Sequence, residues 1–195
     1  MTVEVRALDA DEVQARLTDL ARLRITVFRA WPYLYDGDTD YEARYLSAFA
    51  TAPGATLVAA VAGREIVGMA TASPMAAQEA AIREPVAAHG IDPDVTWYFG
   101  ESVLLPRWHG RGVGHRFFDL REAAARRAGA RAAMFCAVIR EDKDPRRPAG
   151  ARDLHPFWIA RGYAPVPGLA CRMRWREVGE RDESDHRLQF WRRPF

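Results

Sequence analysis

The stretch Val-Thr-Trp-Tyr-Phe-Gly-Glu-Ser-Val-Leu-Leu runs from Val95 to Leu105, and Pro106 with Arg-Trp-His-Gly-Arg-Gly-Val-Gly follows it to Gly114. The first part is rich in β-branched and aromatic residues, which predicts a buried strand that ends at the proline. After the glycines, apolar residues recur at helical spacing. They are Val113, Phe117, Leu120, Ala124 and Ala128. The stretch therefore predicts a strand, a glycine-rich turn and a helix.

The three glycines of this turn, Gly110, Gly112 and Gly114, lie at the start of the predicted helix. Glycine takes backbone conformations that are closed to other residues and lets a ligand approach the chain closely. The start of a helix presents unpaired N–H groups with a partial positive charge. Such a turn is typical of phosphate-binding sites, although glycine-rich turns also occur as plain structural turns.

Two other phosphate-binding motifs do not fit this turn. A Walker loop needs Gly-Lys followed by Ser or Thr, whereas Val113 and His115 follow the glycines here. A dinucleotide-binding fingerprint needs Gly-x-Gly-x-x-Gly and an acidic residue about twenty positions later. The glycines here alternate instead, and the next predicted strand, 131–139, ends without that acid.

Residues 109–114, His-Gly-Arg-Gly-Val-Gly, resemble the acyl-coenzyme A loop of the GNAT superfamily of N-acetyltransferases. The family pattern is Gln or Arg, two residues, Gly, one residue, and Gly or Ala, after a strand that ends at proline. His109 stands where the family usually has Gln or Arg. Residues 157–163, Phe-Trp-Ile-Ala-Arg-Gly-Tyr, look like the family's closing helix and Gly-aromatic turn. The order of predicted elements is also similar over nearly the whole chain.

The rest of the chain predicts a mixture of helices and strands. The predicted strands are 3–8, 56–62, 65–73, 95–105, 131–139, 170–178 and 186–193. One long helix is predicted before Pro32, with Asp9 as its cap and Glu12 three residues later as an approximate capping box. Further helices are predicted at 42–50, within 74–94, at 113–128 and at 153–161. The charged, proline-bearing segment 141–153 predicts a loop or lid. The fold class is α/β (α+β), and the resemblance implies a GNAT-like mixed, mostly antiparallel central sheet of about seven strands flanked by helices.

Length and composition favour one domain over residues 1–195. Of the 195 residues 49% are hydrophobic and 28% are charged, which is ordinary for a globular protein. No apolar run approaches the roughly twenty residues of a membrane span, and the first residues lack the features of a signal peptide. Cys136 and Cys171 have no metal-ligand spacing, so we expect no metal and two free thiols in a reducing cytosol.

The net charge of +2 comes from 28 basic and 26 acidic residues, and every basic residue except Lys143 is arginine. Arginine suits phosphate and carboxylate recognition. These arginines, however, form no basic run of the length that nucleic-acid-binding patches require. We therefore expect neither a nucleic acid nor a membrane as partner, and a homodimer is compatible with the sequence.

The GNAT resemblance implies where acetyl-coenzyme A, the acetyl donor, binds. Backbone N–H groups at the strand end hold the thioester carbonyl. Those of the loop hold the pyrophosphate, with the side chains of His109 and Arg111 free to neutralise it. The expected donor-binding residues are Val103, Leu104, Leu105, His109, Gly110, Arg111, Gly112, Val113, Gly114 and His115.

Glu101 is the one carboxylate within the otherwise apolar central strand, two positions before the expected thioester segment. Strict alternation places it on the face of Trp97, Phe99 and Val103. Desolvation on such a face raises a carboxyl pKa toward the value that a general base needs. Glu101 is therefore the candidate catalytic base, and the alternative is a buried glutamate paired with one of the arginines.

The proton donor to the leaving thiolate is open. Many GNAT enzymes carry a tyrosine on the closing helix, and here that position is Trp158. An indole N–H donates hydrogen bonds but is not a usable proton source. Tyr163, Tyr98, His155 or water replaces the tyrosine, or the thiolate leaves unassisted.

In GNAT enzymes the segment that links the first two helices borders the acceptor pocket, and here it is rich in aromatic rings and acids. The expected acceptor-binding residues are Tyr33, Tyr35, Asp36 and Asp38. Acids attract a cation and aromatic faces hold it, which predicts a positively charged amine as acceptor. The run Asp-Gly-Asp-Thr-Asp is equally typical of a solvated turn that caps the next helix.

Together these features predict an N-acetyltransferase that moves an acetyl group directly from acetyl-coenzyme A to a small-molecule or peptide amine. One alternative is a GNAT-like domain that binds an acyl-coenzyme A as a sensor without catalysis, which Trp158 and His109 suggest. A second is an interaction protein whose last strand, 187–193, pairs with the sheet edge of a partner.

Overall fold

The computed structural model describes residues 2–141 and 143–195. In this part the strands are β1 (Glu4–Leu8), β2 (Thr56–Ala62), β3 (Glu65–Pro74), β4 (Thr96–Tyr98), β5 (Ser102–Leu104), β6 (Ala132–Val138), β7 (Ala164–Arg176) and β8 (Glu183–Pro194). The α-helices are α1 (Ala10–Ala15), α2 (Leu17–Phe28), α3 (Thr39–Thr51), α4 (Ala80–Ala88), α5 (Val113–Arg127) and α6 (His155–Ala160). Asp142, in the segment predicted as a loop or lid, lies outside the described residues.

The strands form one sheet in the order β1-β2-β3-β4-β6-β8-β7, with β5 paired to β3. Neighbouring strands are antiparallel except β4 and β6, which are parallel. The predicted mixed, mostly antiparallel sheet flanked by helices is confirmed. The described sheet has eight strands rather than seven because the central predicted strand is divided in two.

Both faces of the sheet are covered by helices. In β2 alternate side chains point to opposite faces. Leu57 and Ala59 pack with α1, α2 and α3, whereas Val58 and Ala60 pack with α5. Burial on two faces explains why this strand is a nearly continuous apolar run. The centre of the sheet therefore lies between α2 and α3 on one side and α5 on the other.

Helices α1 and α3 begin at side-chain caps. Asp9 Oδ1 accepts a hydrogen bond from Glu12 N–H at 2.8 Å, and Glu12 Oε2 accepts one from Asp9 N–H at 3.2 Å. The single long helix predicted before Pro32 is wrong, because Arg16 leaves helical geometry and divides the chain into α1 and α2. The helix predicted from residue 42 begins earlier, because Asp38 caps it.

The predicted strand 95–105 divides at Gly100, and the division changes which face the later side chains occupy. Trp97 and Phe99 pack with α5, whereas Val103 packs with α2 and α3. A bulge inserts a residue into a strand and so reverses the alternation that follows it. The prediction that Glu101 shares a face with Trp97 and Phe99 is therefore wrong, although it does share one with Val103.

The C-terminal strand lies inside the sheet. β8 pairs with β6 on one side and with β7 on the other. The alternative in which residues 187–193 add to the sheet of a partner is therefore wrong, because both edges of β8 are already paired.

Among the described residues, no helix combines the length and the apolar character that a membrane span requires.

Candidate active site

The start of α5 presents a set of open backbone donors. Gly112, which precedes the helix, has a φ of 78°, and Gly110 has a φ of 73°. The first intrahelical bond runs from Arg116 N–H to Gly112 O at 3.2 Å, so the N–H groups of residues 113–115 have no partner within the helix. No described side chain caps this end, and its first turn carries no acid. It is therefore an electropositive, unblocked helix start that suits an anion.

The side chains beside this turn contact the protein itself. His109 Nε2 lies 3.1 Å from the carbonyl oxygen of Leu104, at the end of β5. The Arg111 guanidinium lies 4.9 Å from the centre of the Trp108 ring. His109 thus ties the turn to the strand, and Arg111 stacks on an aromatic face. The sequence left both side chains free to neutralise a pyrophosphate, whereas the structure gives each of them a protein partner.

Helix α6 packs against the start of α5. A Cβ placed on Gly114 would lie 3.5 Å from Phe157, and the His115 and Phe157 ring centres are 4.9 Å apart. Arg161, just beyond α6, lies 2.7 Å from Asp119 of α5. The small residue at position 114 therefore allows a close helix contact in addition to any contact with a ligand.

The sheet opens between β5 and β6. β4 pairs with β6 as far as Tyr98 and Met134, and Phe99 N–H donates to Met134 O at 2.8 Å. β4 also pairs with β3, and beyond Gly100 the described chain pairs with β3 alone, so β5 and β6 separate. The gap exposes one edge of β5 that no described strand covers.

Peptide groups of β5 alternate between β3 and this opening. Glu101 O accepts a bond from β3 at 3.1 Å, and Leu105 N–H donates one to β3 at 2.9 Å. Val103 lies two positions from each of them and is paired with Met69, so its peptide groups also point toward β3. This corrects the expectation that the N–H groups of Val103 and Leu105 hold a ligand carbonyl, because both are used within the sheet. The N–H groups of Ser102 and Leu104 face the opening.

Arg121 and Thr71 hold the strand break. Thr71 Oγ1 accepts a hydrogen bond from Glu101 N–H at 3.2 Å. Arg121, which is 1% exposed, donates to Thr71 O and Glu101 O, each at 3.2 Å. It also donates to Ser102 Oγ at 2.9 Å, and burial lowers the pKa of Arg121 to about 10. A Cβ on Gly100 would lie 2.7 Å from Thr71 Oγ1, so this break needs glycine.

Glu101 is 9% exposed and points toward α2 and α3. Its Oε1 lies 2.5 Å from Arg24 Nη1, and Arg24 Nε lies 2.5 Å from Oε2 of the buried Glu42. Burial opposes the charge of Arg24, but the nearby carboxylates outweigh it and raise the pKa of Arg24 above its usual value. The structure therefore shows the arginine pairing that the sequence left as an alternative, at the point where the sheet opens.

Three tyrosines lie around this ion cluster. Burial raises the pKa of Tyr33 and of Tyr35 above the usual value. The pKa of Tyr45 is raised first by the charge of Glu101 and then by burial. The Tyr45 ring centre lies 4.6 Å from the Arg24 guanidinium. The three phenols are thus neutral near pH 7, and the cluster carries two carboxylates and one guanidinium.

A family model described as the acetyltransferase (GNAT) family matches residues 20–147. The chain belongs to the GNAT acetyltransferase family. The matched part extends from α2 to the segment after β6, so it contains the opened sheet, the glycine turn and the Arg24–Glu101 pair. A comparison with curated protein sequences finds no match.

Solved structures of similar fold include three acetyltransferase-like relatives. The ribosomal-protein-alanine N-acetyltransferase from Brucella melitensis has a TM-score of 0.64 and 13% identity, covering 98% of this chain and 99% of that one. An aminoglycoside 6′-N-acetyltransferase complexed with coenzyme A has a TM-score of 0.62 and 16% identity, with 98% and 96% covered. YncA from Salmonella typhimurium, with its cofactor acetyl-CoA, has a TM-score of 0.61 and 14% identity, with 100% and 94% covered. At these identities the likeness shows the fold.

In this GNAT chain the two aspartates expected at the acceptor site have structural partners. Asp38 Oδ1 accepts a hydrogen bond from Tyr41 N–H at 2.8 Å and so caps α3. The Asp36 carboxylate lies 2.8 Å from Arg29 Nη1 and 3.0 Å from Arg176 Nη2. The interpretation as a helix-capping turn therefore describes Asp38, and the charge of Asp36 is balanced by arginine. The carboxylate at the strand break is Glu101 instead, and Arg24 joins it to Glu42.

The candidate proton donors of the GNAT chain lie in different surroundings. Trp158 packs among aromatic side chains of β6 and β8, and the His155 ring lies 5.5 Å from it. Tyr163 donates its hydroxyl to a buried carboxylate of α5 at 3.2 Å. The Tyr98 hydroxyl lies 3.0 Å from Cys136 Sγ, and burial raises the pKa of Tyr98 well above its usual value. Of these residues Tyr98 lies nearest along the chain to the strand break.

Three charged residues of the site were not identified from the sequence: Arg24, Glu42 and Arg121. Each lies four positions from a buried apolar residue of the same helix, and these are Leu20, Leu46 and Phe117 respectively. A charge on the apolar face of a helix is a usable signal, because it must find a partner when buried. The sequence does not say which partner, because the partners lie on elements that are far apart along the chain.

Proposed function

We propose that this protein is an acetyl-coenzyme A-dependent N-acetyltransferase that transfers the acetyl group directly to an amine. The observation that carries the proposal is the open helix start at Gly112, which follows directly on a strand whose edge is uncovered. Membership of the GNAT acetyltransferase family supports it, as do the relatives whose structures contain coenzyme A or acetyl-CoA.

The donor fits the chain's own groups. Its pyrophosphate would lie over the N–H groups of residues 112–115, where open space surrounds Gly110 and Gly112. Its acyl arm would run along the free edge of β5 in place of the missing strand and would bond to the N–H groups of Ser102 and Leu104. The Leu104 N–H is then the donor placed to hold the thioester oxygen, because those of its two neighbours bond to β3.

Glu101 is the proposed base. Its carboxylate accepts a proton from the acceptor ammonium, and the neutral amine then attacks the thioester carbon. The C–N bond forms and the C–S bond breaks. The second amine proton passes to the leaving thiolate, through Tyr98 or water, while Glu101 returns its proton to solvent. The products are the acetylated amine, coenzyme A and one proton.

A second function, acyl-coenzyme A binding without catalysis, is favoured by a specific observation. Glu101 is held by Arg24 at 2.5 Å, and Trp158 stands where many family members have a tyrosine. An ion-paired carboxylate is a weaker base than a free one, because protonation breaks the pair. Such a protein would bind acetyl-coenzyme A and leave amines unmodified.

Thiol release from acetyl-coenzyme A, measured with a panel of cationic, neutral and acidic amines, separates the two functions. We expect release with at least one amine, and a loss of about a hundredfold in kcat for Glu101→Gln. Calorimetry should show unchanged acetyl-coenzyme A affinity for this variant, which has the same size and backbone. Binding without thiol release for every amine would support the sensor. A Glu101→Gln variant that is folded and fully active would remove Glu101 as the base.

A further inference from the structure

Arg24 is shared between two buried carboxylates. Its Nε contacts Glu42 Oε2 and its Nη1 contacts Glu101 Oε1, both at 2.5 Å. The side chain of Glu42 is 1% exposed and that of Glu101 is 7% exposed. Arg24 Nε donates a hydrogen bond to Glu42 Oε2, whereas Arg24 Nη1, Glu101 Oε1 and Glu42 Oε1 have no hydrogen-bond partner in the described residues, so the Arg24–Glu101 contact is an ion pair alone. Two negative charges therefore compete for one guanidinium inside the protein.

The competition affects how a proposed base can work. A carboxylate that holds a guanidinium alone stays ionised, but it gives up the whole ion pair when it accepts a proton. A carboxylate that shares the guanidinium gives up less, and a neighbouring negative charge makes protonation easier still. Here Glu101 shares one guanidinium with Glu42.

We propose that Glu42 is a positioning residue that, by binding the Nε edge of Arg24, limits the hold of Arg24 on Glu101 and leaves Glu101 able to accept the proton of the acceptor amine. The proposal rests on the proposed function, in which Glu101 is the base. It assigns to Glu42 a role that is exerted through Arg24.

Groups from every neighbouring element bear on Glu101. Arg24 comes from α2, Glu42 and Tyr45 from α3, Tyr33 from the segment between these helices, and Arg121 from α5. Arg121 contacts the backbone oxygen of Glu101 rather than its carboxylate. The tyrosines are neutral near pH 7, because burial and the carboxylates raise the pKa of each phenol. The charges that decide protonation are thus Arg24 and Glu42, with Arg121 as a fixed background.

A packing role alone would make different demands. Burying a carboxylate is costly, and a buried ion cluster is often replaced by apolar residues without loss of stability. Gln at position 42 keeps the size and one acceptor oxygen but removes the charge. If Glu42 served only to fill space, Glu42→Gln would leave the pH dependence of the reaction unchanged. If it acts through Arg24, that dependence must move.

The test is the pH profile of kcat/KM for the amine in three proteins. The acidic limb reports protonation of the base, which stops the reaction. In Arg24→Met the ionised form loses its partner, so the limb should move to higher pH by about one unit. In Glu42→Gln a like charge disappears and Arg24 turns wholly to Glu101, so the limb should move to lower pH. The plateau of Glu42→Gln should also fall about three- to tenfold, because the base is weaker.

Opposite movements of the two limbs support the proposal, with the KM for acetyl-coenzyme A unchanged in both variants. Limbs that stay in place, or that move in the same direction, overturn it. Glu42→Asp is the second variant if Glu42→Gln does not fold. Its shorter side chain moves the carboxylate away from Arg24 Nε, so the acidic limb should move in the same direction by a smaller amount. Direct titration of the Glu101 carboxyl by carbon NMR gives the same comparison without turnover. Failure of the proposed function, seen as no thiol release, is therefore distinguishable from failure of this inference.

Discussion

The donor side and the acceptor side of this site are built in opposite ways. At the start of α5 the backbone N–H groups of residues 113–115 have no partner within the helix, and glycines keep the space around the turn open. On the other side, around α2 and α3, the carboxylates are already bound: Asp36 by two arginines, and Glu42 and Glu101 by Arg24. The start of α5 can therefore bind an anion, whereas the carboxylates around α2 and α3 are paired with arginines of the protein itself.

The difference shows what kind of recognition each region can supply. Unpaired backbone donors recognise a phosphate without any particular side chain, so this region depends on conformation. Buried carboxylates that share an arginine respond to charge, so the acceptor region depends on which ion pairs form. Substitutions of glycine should therefore damage donor binding, and substitutions of charge should alter the acceptor step.

Gly112→Val should have the largest effect on donor binding. A β-branched residue does not take a φ of 78°, and its side chain would fill the proposed phosphate seat. We expect acetyl-coenzyme A affinity by calorimetry to fall by more than about a hundredfold, or about 2.7 kcal/mol. Gly129→Val is the matched control, because it has a φ of 83° and open space at the other end of the same helix. An equal loss of acetyl-coenzyme A affinity in both variants would show that backbone strain in α5, rather than loss of the phosphate site, causes the effect.

The contrast between the two regions also explains what the sequence could predict. The turn at residues 109–114 is local, so spacing alone identified the strand, the turn and the helix. The capping box at Asp9 was equally local. The cluster of Arg24, Glu42 and Glu101 joins residues far apart in sequence, and alternation put Glu101 on the wrong face. The alternation of side chains between the two faces of a strand is reversed where a bulge adds a residue. Gly100 is the one sequence signal of that bulge.

Gly100→Ala should affect the acceptor side of the site more than the donor side. Its Cβ would meet Thr71 Oγ1 at 2.7 Å and displace the break that aims Glu101 toward α2. Because a shift of about 1 Å in a catalytic group is costly, we expect kcat to fall roughly tenfold to a hundredfold. Acetyl-coenzyme A affinity should fall less than kcat, because the start of α5, where the pyrophosphate is proposed to bind, is unchanged. Gly150→Ala, where a Cβ meets open space, is the control and should be fully active.

Asp36 and Asp38 should give the smallest effect on catalysis. Because Asp36 is balanced by Arg29 and Arg176 and Asp38 caps α3, Asp36→Asn with Asp38→Asn should leave the KM for a cationic amine within about twofold. Asp38→Ala, which removes the cap, should instead lower the free energy of unfolding by about 1 kcal/mol. A large rise in the amine KM of the double Asn variant would return this segment to the acceptor site.

Amide hydrogen exchange of the wild-type protein, with and without saturating acetyl-coenzyme A, tests most directly whether open backbone donors form the donor site. Exchange should slow in residues 110–115 and at the free edge of β5, residues 102–104. The C-terminal end of α5, residues 126–130, should exchange at an unchanged rate and serves as the internal reference. Exchange at 110–115 that is unchanged by acetyl-coenzyme A, or protection confined to another part of the chain, would contradict the account.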